Sequence, residues 1–286
     1  MKILIADADE ETRLALVEAI AGAAPTARMV EASNGAELRA ALAGEAPDIL
    51  FIDTILPDTD GRTITAWREG KGARSVVVLV ADLLSARWSG VARVLDAYDV
   101  LLKPLSPRNV GHVLQAAAVL CRELTLLLVE PGHRTRVLAR QMLETTTFRF
   151  RVSEAMDGKT AVRLAKEQTK QQAADGGAAG FDLAILGSSI PDMPVSEAAC
   201  RLDALGAGTR IVIAGGAAEE PSAAQLALFG AKAFLRMPFD ATDLDRLVYE
   251  TFGLWRPYVL EALRSESLRL DAERLATAVP KRITLL

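Results

Sequence analysis

Residues 49–61 read ILFIDTILPDTDG, and this stretch decides the fold. Its first four residues are apolar, the fifth is the carboxylate Asp53, and the turn-forming pair Pro57-Asp58 follows. An unbroken apolar run of this length, bounded by turn residues, is typical of a strand buried on both faces of a parallel sheet. The stretch therefore predicts a buried strand that carries Asp53 at its carboxyl end.

The sequence on either side alternates short apolar runs with longer segments of helical periodicity, such as residues 12–22 and 35–43. The apolar runs of the first 122 residues are Ile3–Ala6, Ala27–Glu31, Ile49–Ile52, Val76–Val80 and Val100–Leu102. Alternation of this kind predicts a parallel sheet with helices on both faces. Five strands in about 120 residues favour a doubly wound sheet, whose functional cleft lies at the carboxyl ends of its strands.

This pattern occurs twice along the chain. Residues 2–7 (KILIAD) match residues 125–130 (TLLLVE), and the offset between the copies grows from 123 to 134 residues further on. The extra residues fall in the Gln-, Ala- and Gly-rich segment 168–180, which is predicted to be a surface loop. The sequence therefore predicts an α/β protein with two tandem doubly wound domains, each with a five-stranded parallel sheet. Their bounds are residues 1–122 and 123–253, followed by a helical tail at 254–286.

Composition and charge exclude several classes of protein. The chain has 286 residues, 50% of them hydrophobic, and a net charge of -4 without a basic patch, which argues against nucleic-acid binding. No signal peptide and no apolar run of about 18–20 residues is present, which argues against a membrane protein. Two cysteines are too few for a disulfide framework and fit a reducing compartment. We therefore expect a soluble cytoplasmic protein.

Polar side chains follow three of the predicted strands in the first copy. Asp7 and Asp9 follow the first strand, Asp53 ends the third, and Lys103-Pro104 follows the fifth. Carboxylates hold Mg²⁺ and a lysine neutralises phosphoryl oxygens, so Asp53 in such a group can accept a phosphoryl group. Taken singly, each residue has a structural explanation, because an Asp after a strand often caps a helix and Lys-Pro often forms a turn. Their joint order and spacing favour the phosphoryl site.

At this point the first copy, over about residues 1–121, resembles the receiver domain of two-component response regulators. The resemblance rests on the loop DTILPDTDG at 53–61 and on Lys103-Pro104. It implies that Asp53 is the phosphoacceptor, that Lys103 binds phosphate and that the Lys103-Pro104 bond is cis. It also implies a Mg²⁺ site whose ligands are Asp7, Asp53 and the backbone carbonyl of Ile55. Asp9 is a further acid that could partly compensate, although the resemblance implies that its side chain points away from the site.

Three positions depart from the receiver pattern. Ala8 replaces the second member of the acidic pair, Val80 replaces the Thr or Ser that ends the fourth strand, and Val100 replaces the aromatic switch residue. Loss of a carboxylate ligand predicts weak binding of Mg²⁺.

The second copy has lost the chemistry. Gly187 stands at the phosphoacceptor position, Met237 at the lysine, Glu130-Pro131 at the acidic pair and Gly215 at the Thr/Ser position. We expect a pseudo-receiver that transfers no phosphoryl group.

The leading functional hypothesis is a response regulator or signalling adaptor that is not an enzyme, lacks an output domain and acts by protein–protein contacts. A histidine kinase or a phosphotransfer protein would phosphorylate Asp53, and an unidentified downstream protein would read the change. The tail, predicted to be helical over 257–276, would pack on its own domain or contact a partner, which leaves a homodimer open.

Two other classes remain as alternatives. Ala8 and Val80 favour a scaffold that works without phosphorylation. An enzyme of similar fold is less well supported, because a haloacid-dehalogenase-like phosphatase needs a second Asp where Ile55 stands, and a dinucleotide-binding enzyme needs a Gly-rich turn after the first strand.

Overall fold

The computed structural model describes residues 1–59, 61–82, 88–174, 180–255 and 257–259. The chain divides into two compact units. The first unit combines Met1–Cys121 with Trp255–Leu286, and the second is Arg122–Leu254. The first unit is therefore assembled from both ends of the chain.

Strands and helices alternate along the described part of the first unit. Their bounds are β1 Lys2–Ala6, α1 Glu10–Ala23, β2 Arg28–Ala32, α2 Gly35–Ala43, β3 Ile49–Asp53, α3 Gly61–Glu69, β4 Val76–Ala81, α4 Trp88–Val94, β5 Asp99–Leu102 and α5 Pro107–Leu120. The strands form one parallel sheet in the order β2-β1-β3-β4-β5. All five residues of β3 are buried, as the apolar run predicts for a central strand.

The second unit repeats this architecture. Its elements are β6 Glu123–Val129, α6 His133–Glu144, β7 Arg149–Ala155, α7 Gly158–Ala174, β8 Leu183–Gly187, α8 Val195–Asp203, β9 Arg210–Gly215, α9 Ala223–Leu228, β10 Ala231–Arg236 and α10 Ala241–Thr251. The parallel sheet has the order β7-β6-β8-β9-β10, the same topology as the first. The predicted fold class, two doubly wound five-stranded sheets, is confirmed.

One local prediction was wrong. The segment 168–180 was expected to be a loop, but α7 continues through Ala174. Gln, Lys and Ala are strong helix formers, so the insertion lengthens the helix before it turns. Residues 175–179 of the predicted loop lie outside the described residues. In the parts of the chain that are described, no helix is both long and apolar enough to cross a membrane.

After the second unit, the chain packs against the edge of the first sheet. Val259 is fully buried in the same apolar cluster as Leu95 and Val100. The ring of Trp255 stacks on His112 of α5, with the ring centroids 4.9 Å apart and the planes 9° from parallel. The sequence did not specify the surface on which the tail packs, and these residues pack within the first unit. The helix expected over 257–276 lies mostly outside the described residues.

The tail also meets a buried carboxylate. Asp99 is 5% exposed, and its Oδ1 accepts hydrogen bonds from the backbone N–H groups of Val100 (2.8 Å) and Tyr258 (3.0 Å). Burial raises the pKa of Asp99 from 3.8 to about 6, although these N–H donors act in the opposite direction.

This raised pKa predicts a pH-dependent stability. Between its unfolded and folded pKa values, the folded protein holds a proton on Asp99 that the unfolded chain has released, so stability falls as pH rises through this window. The shift corresponds to about 3 kcal/mol. Asp99→Asn should remove this contribution. The free energy of unfolding of the variant should therefore rise relative to that of the wild type as pH rises from 4 to 7, roughly the window set by the two pKa values. Urea unfolding at several pH values measures this difference in stability. Glu18→Gln, which changes an exposed acid, is the control. A difference between Asp99→Asn and wild type that stays constant with pH would contradict the prediction.

Candidate functional site

Three strand ends bring Asp7, Asp53 and Lys103 together. Asp7 directly follows β1, Asp53 ends β3 and Lys103 directly follows β5. The Lys103 Nζ atom lies 2.7 Å from Asp53 Oδ2 and 2.9 Å from Asp7 Oδ2. Both carboxylates are buried. The structure therefore places one ammonium group between two carboxylates at the carboxyl edge of the sheet.

Burial and the neighbouring groups of this cluster shift the pKa values of Asp7 and Lys103. Burial raises the pKa of Asp7, and the neighbouring Asp53 carboxylate acts in the same direction, against the hydrogen bonds from Lys103 and from the Asp9 N–H. Burial alone lowers the pKa of Lys103, but its hydrogen bonds to Asp53 and Asp7 outweigh burial and raise it. Lys103 is therefore held as a cation.

Asp53 is positioned by a backbone N–H group on one side and by the Lys103 side chain on the other. Its Oδ1 accepts a hydrogen bond of 2.7 Å from the N–H of Ile55, and its Oδ2 faces Lys103. Val80 is its register partner on β4 and is buried, so no hydroxyl group lies at that position. The Lys103-Pro104 peptide bond is cis, as the resemblance implies.

Asp9 has a different role from the one considered for it. Its Oδ2 accepts hydrogen bonds from the backbone N–H and the hydroxyl of Thr12, at 3.0 and 2.6 Å, so it caps the amino end of α1. These hydrogen bonds lower the pKa of Asp9. The capping geometry commits this carboxylate to the helix, which corrects its assignment as a metal ligand.

Two features of the site were missed by reasoning from the sequence. Arg13 donates hydrogen bonds to the carbonyl groups of Asp7 (2.9 Å) and Ala8 (3.1 Å), which fixes the loop after β1. Gly35 donates to the carbonyl of Pro57 at 2.7 Å, and a Cβ atom there would lie 2.1 Å from the Asp58 carbonyl oxygen. Only glycine permits α2 to approach the loop after β3 this closely. The sequence has the pair Asn34-Gly35 at this point, but no period or spacing indicates the close approach.

Asp7 and Asp53 are suitable ligands for a hard cation. The Oδ2 atom of Asp7 is buried and pairs with the Lys103 ammonium group at 2.9 Å, and carboxylate oxygens are the donors that Mg²⁺ prefers. Among the described residues, no group of three or more His, Cys, Asp and Glu side chains could hold a metal. Two carboxylates with a backbone carbonyl such as that of Ile55 therefore fit a weak Mg²⁺ site, and Ala8 adds no ligand.

The corresponding positions of the second unit lack both the nucleophile and the lysine. Gly187 ends β8, Met237 directly follows β10, and Glu130 directly follows β6. Glu130 accepts a hydrogen bond from the N–H of Gly132 at 2.8 Å. The Met237-Pro238 bond is cis, like its counterpart in the first unit.

Comparison with known proteins gives the same assignment for the first unit. The profile of the response regulator receiver domain matches residues 3–115. The transcriptional regulatory protein GltR of Pseudomonas aeruginosa is 33% identical over 111 residues, covering 37% of this chain and 44% of that protein. The chain thus matches less than half the length of this relative.

The fold of the whole chain also has relatives among solved structures. Two structures described as two-component system response regulator/GGDEF domain proteins are each 19% identical, with a TM-score of 0.57, over 92% of this chain and 99% of theirs. At this identity the likeness concerns the fold alone. For residues 3–115, the profile match, the sequence relative and the cluster of Asp7, Asp53 and Lys103 agree, and this part of the chain belongs to the response regulator receiver domain family.

Proposed function

We propose that this chain is a two-component signalling protein whose receiver domain is phosphorylated on Asp53 and acts through contacts with other proteins. The observation that carries the proposal is the ion-pair cluster, in which the Lys103 ammonium group lies within 3 Å of both Asp53 and Asp7. A structural ion pair would need one carboxylate for one lysine. The second carboxylate leaves the cluster with an excess negative charge, which a further cation can balance.

The cluster suits phosphoryl transfer to Asp53. A carboxylate oxygen of Asp53 attacks phosphorus, the bond from phosphorus to the leaving oxygen of the donor breaks, and an aspartyl phosphate forms. With acetyl phosphate as donor, acetate leaves with that bonding electron pair. Lys103 then pairs with the new phosphoryl oxygens, and Mg²⁺ held by Asp7 and Asp53 would supply further positive charge.

The donor in the cell would be a histidine kinase or a phosphotransfer protein, and the product would be read by a downstream protein. In this proposal the chain is not an enzyme, works in the cytoplasm and binds neither nucleic acid nor membrane. The second unit, whose Gly187 and Met237 cannot perform this chemistry, would serve as a pseudo-receiver for protein contacts.

Incubation of the full chain with acetyl phosphate and Mg²⁺, followed by mass spectrometry, tests the proposal. We expect a gain of one phosphoryl group, mapped to Asp53 and lost when Mg²⁺ is chelated. An unmodified protein under these conditions would favour the alternative, a scaffold that works without phosphorylation. Ala8 and Val80 are the residues that support this alternative, because each removes a group that assists phosphoryl transfer.

Restoring the missing acid should strengthen the site. Ala8 is exposed and lies next to Asp7, so Ala8→Asp adds a carboxylate without disturbing the core. We expect Mg²⁺ to bind about tenfold more tightly, because each additional charged ligand adds to the affinity for a hard cation. Calorimetric titration measures the change, and Ala8→Asn is the control of similar size without the charge. Equal affinities for the two variants would show that residue 8 does not face the metal.

A further inference from the structure

The second unit contains an apolar cavity at the carboxyl edge of its sheet. Its volume is about 180 Å³. The ends of three strands line it with Val129, Gly187 and Ala214, and α6 lines it with Met142. Met237 and Phe239, from the segment after β10, complete the wall. The cavity thus occupies the position that corresponds to the phosphoryl site of the first unit.

The cavity follows from the same replacements that removed the chemistry. In the first unit, Asp53 and Lys103 fill this edge with a carboxylate and an ammonium group. In the second, Gly187 contributes no side chain and Met237 contributes a flexible thioether. Methionine adapts its shape to irregular apolar ligands.

One charged group remains in the cavity wall. Glu130 lines the cavity, and its Oε2 lies close to Gly187, where an added Cβ atom would come within 2.7 Å of it. No ion pair reaches the Glu130 carboxylate from the described residues. The nearby Arg136 pairs with Glu154 and donates to the backbone carbonyls of Glu130 and Pro131. The counterpart of Asp7 is therefore still an acidic residue, and Met237 replaces the lysine that would pair with it.

A carboxylate beside an apolar cavity is stabilised by a cation that brings its own apolar surface. We propose that this cavity binds a small organic amine, with its ammonium group on Glu130 and its apolar body against Met142, Met237 and Phe239. The volume suits a body of about one ring, since apolar cavities of roughly 150 Å³ hold benzene. An aromatic side chain such as Phe239 adds affinity for a cation. This site is separate from the proposed phosphorylation of Asp53.

Three probes of one shape test the proposal on the full chain: benzylamine, toluene and benzoate. We expect saturable, one-to-one binding of benzylamine by isotope-edited NMR, with shifts confined to the residues that line the cavity, at the ends of the three strands, on α6 and in the segment after β10. Toluene should bind more weakly and benzoate should not bind. Equal binding of all three probes, or of none, would overturn the proposal.

Two variants locate the site. Glu130→Gln keeps the acceptor for Gly132, and it should reduce the preference for benzylamine over toluene by about tenfold, because a charge-assisted hydrogen bond is lost. Ala139→Leu fills the cavity from α6 and should abolish binding of both probes, whereas Ala224→Leu on the exposed face of α9 should leave it unchanged. An unchanged preference in Glu130→Gln would contradict the assignment even if Ala139→Leu failed to fold.

Discussion

Asp53→Asn is expected to abolish phosphorylation of the chain by acetyl phosphate. The amide cannot serve as the nucleophile, and Gly187 at the corresponding position of the second unit offers no replacement. Asp58→Asn is the matched control. Asp58 lies in the same loop with φ of 56°, which asparagine tolerates. The Asp58→Asn protein should therefore be phosphorylated on Asp53 at the wild-type rate. Intact-mass spectrometry after equal incubation compares the three proteins.

The loss should not come from misfolding, for a reason found in the charge cluster. Asp7 and Asp53 share Lys103, and the Asp53 charge acts to raise the pKa of Asp7. Removing the Asp53 charge leaves one carboxylate, Asp7, with one ammonium group, and it removes the repulsion between the two carboxylates. Thermal unfolding of Asp53→Asn should therefore begin no lower than in the wild type. Phosphoryl label on any other residue of this variant would contradict the one-site assignment.

The alternation of apolar runs was enough to predict both sheets, because strands buried on both faces must be almost wholly apolar. The same logic predicted which residues meet: Asp7, Asp53 and Lys103 follow three different strands, and parallel strands end at one edge. Their convergence could be predicted without any knowledge of distances. The cis bond before Pro104 was a consequence of the resemblance, not of the pattern.

Side-chain partners within loops were harder to predict. Asp9 had two plausible roles, metal ligand and helix cap, and the sequence favours neither, because Thr12 suits the cap and the neighbouring Asp7 suits the metal. The close approach at Gly35 depends on the path of the 53–61 loop, which no local propensity specifies. The cavity beside Glu130 results from residues of three strands, two helices and the segment after β10. None of these features has a period or a spacing that could be read in advance.

The surface on which the tail packs could not be predicted from the sequence. The periodicity of a segment indicates which of its side chains form an apolar face. It does not identify the surface of the protein on which that face packs. The Trp255 carbonyl accepts a hydrogen bond from the Tyr98 hydroxyl and the Tyr258 N–H donates to Asp99, so the tail contacts residues more than 150 positions earlier in the chain. β5 lies at the edge of the first sheet, and edge strands are commonly protected by a covering segment.

Val259→Asp is expected to release this covering segment and destabilise the first unit by about 2–3 kcal/mol. Full burial of a valine side chain contributes roughly 1.5–3 kcal/mol, and the stacked pair of Trp255 and His112 adds about 0.5–1.5 kcal/mol. The freed chain regains conformational entropy, which offsets part of the loss. A new carboxylate would also lie near the buried Asp99, so the docked state has no means of accommodating it.

Hydrogen exchange distinguishes this release from general unfolding. Amides of β5 and α5 should exchange roughly thirtyfold faster or more in Val259→Asp, while those of the second unit keep their wild-type rates. Val94→Asp makes the same substitution at a side chain that is 59% exposed on α4, and it should cost less than about 1 kcal/mol. If both variants raised exchange equally in β5, the burial of Val259 would not be what holds the tail. Faster exchange confined to Val259→Asp would show that the docked tail protects β5. The residue after β5 is Lys103, which pairs with Asp53, so the tail would then support the strand that positions this lysine.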